Sequence, residues 1–116
     1  VRLQRVVAGI DCGMAVNPEG VRNQVEGGVI MGMGTALREV VEFDAGQLLN
    51  MAFSRYRVPR INEAPQIEVV LTGDPTTHST GAGEPGLVPI AAAIGNAVFD
   101  VTGSRIRDLP IVPQLP

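Results

Sequence analysis

The sequence predicts an α+β fold in which two helices pack on a small mixed sheet. Three observations point to it. Valine- and isoleucine-rich runs at Leu3–Asp11 and Gln66–Leu71 read as strands. Val21, Val25, Gly28, Val29, Gly32, Met33, Ala36 and Leu37 recur at helical spacing behind Asn17-Pro18-Glu19, a start signal for a helix. A second apolar run, Leu87 to Val101, stops at Thr102-Gly103. At 116 residues, 45% of them hydrophobic, the chain reads as globular. It has the length for one domain, or a piece of one, with a modest core.

The elements follow as β-α-β-β-β-α. Leu3–Asp11 is the first strand, broken at Cys12-Gly13-Met14. Asn17 is placed to cap the first helix, with Pro18 in its first turn and Glu19 near the positive end of the dipole. That helix is expected to run to about Glu39. It carries Gly20, Gly27, Gly28, Gly32 and Gly34, each costing on the order of 1 kcal/mol relative to alanine. Close approach to another backbone or to a ligand must offset that cost, and for Gly32 and Gly34 tight packing is the preferred reading. Val40–Phe43 and Gln47–Leu49 form a hairpin turning at Asp44-Ala45-Gly46. Ser54–Ala64 is an irregular connector, and Gln66–Leu71 the last strand. Thr72–Glu84 is a long loop of the kind that is usually functional or disordered. The second helix presents Ile90, Ile94, Ala97, Val98 and Val101, and Gly103 ends it. The proline-rich tail Leu109–Pro116 is expected to be extended.

Composition excludes several functions. There is no tryptophan, one tyrosine and three phenylalanines, so the core must be aliphatic. All nine basic residues are arginine, scattered in a chain of net charge −3, which leaves no footprint for nucleic acid or an anionic membrane. Cys12 is the single cysteine, so no internal disulfide forms and no cysteine–histidine cluster suggests a metal site. It reads as a small, partly buried strand residue. His78, the single histidine, reads as a loop residue, and no Ser–His–acid triad is supported. Arg55, Arg57 and Arg60 around Tyr56 have the chemistry to bind phosphate. With no lysine or helix N-terminus beside them, a solvated face is the preferred reading. Pro85–Phe99 is too short for a membrane span. The chain begins at Val1 without an initiator methionine or signal peptide, and is expected to belong to something larger.

Two motifs carry chemistry. Gly81-Ala82-Gly83-Glu84-Pro85-Gly86 sets one carboxylate among three glycines ahead of the second helix. Glycine allows a ligand close to the backbone, and Pro85 suits the first turn of that helix. On these six residues alone, a turn carrying a solvated acid is the plainer reading. The other motif is Asn17-Pro18-Glu19-Gly20-Val21-Arg22-Asn23-Gln24-Val25-Glu26-Gly27-Gly28. The Gln24 amide both donates and accepts hydrogen bonds, as binding a pterin or amide edge requires, but alone it reads as an exposed helix residue.

Taken together, in this order and at this distance, the two motifs closely resemble the C-terminal part of the large subunit of molybdenum hydroxylases, the xanthine dehydrogenase and aldehyde oxidoreductase superfamily. Asp11-Cys12-Gly13, Asn17–Val21 and Arg60-Ile61-Asn62-Glu63-Ala64-Pro65 are most similar to the bacterial isoquinoline 1-oxidoreductase β-subunit type. Pro85-Gly86, where animal enzymes have Pro-Pro, points the same way. The resemblance runs from about Val6 to Ile111.

The resemblance implies that Glu84 is the catalytic base, accepting a proton as water-derived oxygen enters an electron-poor carbon. Gln24 matches the glutamine that contacts the molybdopterin cofactor. Ala82 and Gly83 are expected to present backbone N–H groups, and Asn17 and Arg22 are further candidates beside them. Glu26 matches the motif with a structural role. The implied cofactor is molybdopterin, in its cytosine dinucleotide form, with molybdenum. Iron–sulfur clusters are implied on a small partner subunit, and an aldehyde or small aromatic heterocycle as substrate. Other parts of the large subunit would complete the cage, so the isolated chain is expected to be inactive and to self-associate. The alternative is a scaffold domain that keeps the fold without turnover. A free-standing nucleotide-binding domain is disfavoured, since neither GxGxxG nor a P-loop lysine is present.

Overall fold

In a computed structural model, which describes residues 1–112, the expected element order appears. β1 spans Arg5–Ile10, α1 Pro18–Leu37, β2 Phe43–Asp44, β3 Gln47–Leu48, β4 Gln66–Leu71 and α2 Ile90–Thr102. A short 3₁₀ turn, Ile61–Glu63, punctuates the connector. The strands divide into two separate pairs. β1 lies parallel to β4, from Arg5 opposite Gln66 to Ile10 opposite Leu71. β2 and β3 form an antiparallel hairpin of their own. Parallel strands need a long crossover, and α1 with the hairpin and connector supplies it.

α1 starts where the sequence places it. The Asn17 Oδ1 accepts a 3.0 Å hydrogen bond from the Gly20 N–H, satisfying one of the helix's orphan donors. The helix closes as the Arg38 and Glu39 N–H groups both donate to the Gly34 carbonyl at 2.9 Å. Its buried face is Val25, Gly28, Val29, Gly32, Met33 and Ala36, packed on β4 and α2. Val25 and Val29 are the most completely buried large side chains, and each contributes roughly 1.5–3 kcal/mol of apolar burial. Ile10, Cys12, Val69, Ile90, Ile94, Val98 and Ile111 complete the core.

The glycines of α1 let its neighbours approach. A β-carbon at Gly28 would sit 2.9 Å from the Gly86 carbonyl carbon and 3.0 Å from the Leu87 nitrogen. One at Gly86 would sit 2.9 Å from the Val25 Cα. Backbone thus packs on backbone, with no room for a side chain on either side.

Four local expectations are corrected. α2 begins at Ile90, not Leu87: residues 85–89 form turns, and Pro85 lies outside the helix. Cys12 is wholly buried, two residues past the end of β1, rather than partly buried within a strand. The β2–β3 strands are only two residues long, around Ala45 and Gly46, both at positive φ. Buried Asn50 holds the hairpin base instead, accepting from the Glu42 N–H and donating to the Val40 carbonyl. The tail bends at Asp108–Pro110, and Ile111 enters the core, its N–H donating to the Ala36 carbonyl at 2.7 Å. The rest of the expected extended tail, from residue 113 on, lies outside the described residues.

Candidate functional site

Asn17 and Gln24 lie seven residues apart, two helical turns, so both face one side of α1 near its N-terminus. With Gly20 between them they form one wall of a shallow groove of about 300 Å³. Cys12, Ser79 and Ala82 contribute to the other side. Asn17 commits its side-chain oxygen to the cap, and its Nδ2 remains uncommitted among the described residues.

The second wall is the long loop, which is held in place. The Met14 N–H donates to the Thr77 carbonyl at 3.1 Å and the Thr80 N–H to the Cys12 carbonyl at 3.0 Å. Asp74 folds the loop's start: its Oδ1 accepts from the Thr76 N–H at 2.8 Å and the Thr76 hydroxyl at 2.7 Å. These bonds, the backbone one foremost, hold its carboxyl below the ordinary carboxylate range. Gly13, at positive φ, allows the fit, because a β-carbon there would collide with the His78 carbonyl.

The two motifs meet directly. Gln24 Nε2 donates a 2.8 Å hydrogen bond to the Gly83 carbonyl, across 59 residues of sequence. The Gln24 Oε1 remains uncommitted among the described residues. Two residues beyond Glu84, Gly86 is buried against Val25. Glu84 is therefore bracketed by two attachments to α1. Its own backbone carbonyl accepts from the Leu87 N–H at 2.9 Å, closing a turn.

The side chain of Glu84 is exposed and lies outside the lining of the groove. α2 starts six residues later, so the Glu84 carboxylate does not sit at its N-terminal end. Ala82 is half-buried in the groove wall, and Gly83 is exposed and open: a β-carbon at Gly81 or Gly83 would meet nothing within 4 Å. Arg22 turns away from the groove to donate to the Val69 carbonyl at 2.5 Å, with Glu19 3.4 Å from its Nε. It ties α1 to β4. His78 is exposed.

Cys12, Met14, Val16 and Ser79 line the groove but were not singled out from the sequence as site residues. For Cys12 a signal existed in Asp11-Cys12-Gly13; the others carry no pattern. Among the described residues no three His, Cys, Asp or Glu side chains converge on a metal position. No helix among them is long and apolar enough to cross a membrane.

Known proteins resemble this arrangement. A family model described as a molybdopterin cofactor-binding domain matches residues 1–65. One subunit of the nicotinate dehydrogenase of Pseudomonas putida is 42% identical over 114 residues, covering 98% of this chain and 10% of that protein. The molybdenum-binding subunit of an Escherichia coli aldehyde oxidoreductase is 40% identical over 118 residues, covering 96% and 16%. Among solved structures, quinoline 2-oxidoreductase from Pseudomonas putida 86 superposes with a TM-score of 0.82 at 28% identity, over 94% of this chain and 15% of that one. A Cu,Mo-CO dehydrogenase gives 0.80 at 29% identity, over 88% and 14%. The chain spans between a tenth and a sixth of the length of these relatives.

Proposed function

This chain belongs to the molybdopterin cofactor-binding domain family of the molybdenum hydroxylases, and we propose that it supplies the catalytic base and part of the cofactor cage of such an enzyme. The observation that carries the reading is the Gln24–Gly83 hydrogen bond, which joins the two motifs beside one groove.

The residues fit one edge of the cofactor. The Gln24 Oε1 and Asn17 Nδ2, with the open backbone at Gly81 and Gly83, offer the donors and acceptors that a pterin edge requires. At about 300 Å³ the groove is at the small end for a ligand site, in keeping with a partial cage. When bound, the group supplies two-electron oxidation at molybdenum. Gln24, Asn17, Ala82 and Gly83 would hold and orient its edge. Glu84 would accept a proton at its carboxylate. A general base needs a fixed position, and the attachments at Gly83 and Gly86 provide one.

The full reading is a larger subunit that completes the cage, with the cofactor in its cytosine dinucleotide form. An iron–sulfur partner subunit accepts the electrons, and aldehydes or nitrogen heterocycles are oxidised. The relatives, a nicotinate dehydrogenase, an aldehyde oxidoreductase and a quinoline oxidoreductase, support that substrate class. Metal analysis tests it. The purified 116-residue chain should carry no molybdenum, and the complete subunit with its iron–sulfur partner should carry it. Stoichiometric molybdenum in the short chain would overturn the shared cage.

A further inference from the structure

A polar groove of about 510 Å³ lies at the other end of α1. A helix of 20 residues is about 30 Å long, so this groove is well separated from Asn17 and Gln24. Arg38, Arg57 and Arg60 line it, with Ser54, Asn62 and Glu63. Three of the nine arginines therefore converge in one place on a chain of net charge −3.

Their charges are not equally engaged. Arg38 pairs with Glu63, and the Glu63 carboxylate also accepts from the Arg60 backbone N–H at 2.9 Å. That carboxylate is thus neutralised within the wall. The guanidinium groups of Arg57 and Arg60 have no hydrogen bond or ion pair among the described residues. By contrast, Arg55 donates to the Leu49 carbonyl at 3.1 Å, and Arg105 lies 3.6 Å over the Phe99 ring. Two uncommitted forks facing one concavity leave a local charge of +2. Guanidinium matches a doubly charged oxoanion bidentately, as an ammonium does not. Phe53 and Val58 also line the groove, giving apolar surface beside the charged one.

We propose that this groove binds a phosphate group, with Arg57 and Arg60 as its ligands, and that Phe53 and Val58 cover an apolar substituent carried by that phosphate. The site is independent of the cofactor reading and stands or falls without it. The test is a calorimetric titration of the complete subunit with inorganic phosphate and, separately, with phenyl phosphate. Both probes should bind saturably, at one site. Phenyl phosphate should bind more tightly if the site takes a phosphate ester, and Phe53→Ser should remove only that advantage. Equal affinities would assign the site to free phosphate and overturn the role of Phe53 and Val58. Arg57→Gln with Arg60→Gln should weaken both probes by at least ~10-fold. Arg105→Gln with Arg107→Gln, which removes the same two charges outside the groove, should change nothing. Non-saturable binding, or equal loss in that control variant, would overturn the proposal.

Discussion

The Gln24 amide and the Gly83 carbonyl meet at 2.8 Å, so the loop that carries Glu84 is fastened to α1 by a side chain that also faces the groove. On the proposed function one residue has two roles: it fixes the loop and would offer its remaining oxygen to the cofactor. A neutral hydrogen bond of this kind contributes a net ~0.5–1.5 kcal/mol. Gln24→Ala in the complete enzyme is expected to lower the molybdenum retained through purification, with little change in the rate of the loaded fraction. Metal content and turnover per bound molybdenum check this together. A loss confined to turnover would place Gln24 in the chemistry instead.

Packing of the loop on α1 gives a second prediction. Gly28→Ala forces a β-carbon to 2.9 Å from the Gly86 backbone, which has no flexible side chain to yield. The expected cost is ~1–3 kcal/mol. Gly27→Ala, one residue away, meets nothing within 4 Å and should be neutral or stabilising by up to ~1 kcal/mol. Denaturant unfolding of the two variants side by side separates them. Equal effects would mean that the helix, and not the loop contact, sets the requirement.

Asp74 predicts a pH response. Its carboxyl is held below the ordinary carboxylate range by the Thr76 N–H and hydroxyl. The folded value is depressed, so the loop's gain is complete above the ordinary carboxylate pKa, about 3.9, and is lost as pH falls through the lowered folded value. Exchange of the Thr76 amide should therefore be slow at neutral pH relative to Asp74→Ala, and the difference should vanish in strong acid. A difference that persisted there would show that the carboxylate is not the acceptor that matters.

The isolated chain should self-associate. Phe43, Met51 and Ile61 are 73%, 79% and 93% exposed, all within the hairpin and the connector that follows it. The radius of gyration is 16.5 Å, against about 13 Å expected for a compact chain of this length. Large exposed apolar groups gathered in one stretch of surface mark a site made for a partner. Sedimentation should show concentration-dependent association, reduced in a Phe43→Ser, Met51→Ser double variant. A stable monomer that binds no hydrophobic dye would contradict it.

Much of this was legible in the residues. Asn17-Pro18-Glu19 and the aliphatic face behind it gave α1 to within two residues, because capping and periodicity act locally. Gly103, at positive φ, marked the end of α2 for the same reason. The start of α2 was not legible: Pro85 suits a first helical turn, but the burial of Gly86 against Val25 holds the chain in turns until Pro89. That contact is tertiary, as is the burial of Cys12 and Ile111. The site shows the same division. No spacing rule brings Gln24 to Gly83 across 59 residues, and only the resemblance of both motifs to one family joined them before the structure did.

Glu84 carries the central claim. Glu84→Gln keeps the size of the side chain and removes the proton acceptor. The loop should hold its shape, since Gln24 and Val25 fasten it at Gly83 and Gly86 rather than at Glu84. The direct test is turnover per bound molybdenum in the complete enzyme carrying this substitution. If Glu84 is the base, molybdenum content stays normal and the rate falls by ~10²–10⁴-fold, the range for a general acid–base group. Near-normal turnover per molybdenum would contradict this and reduce Glu84 to an exposed turn residue.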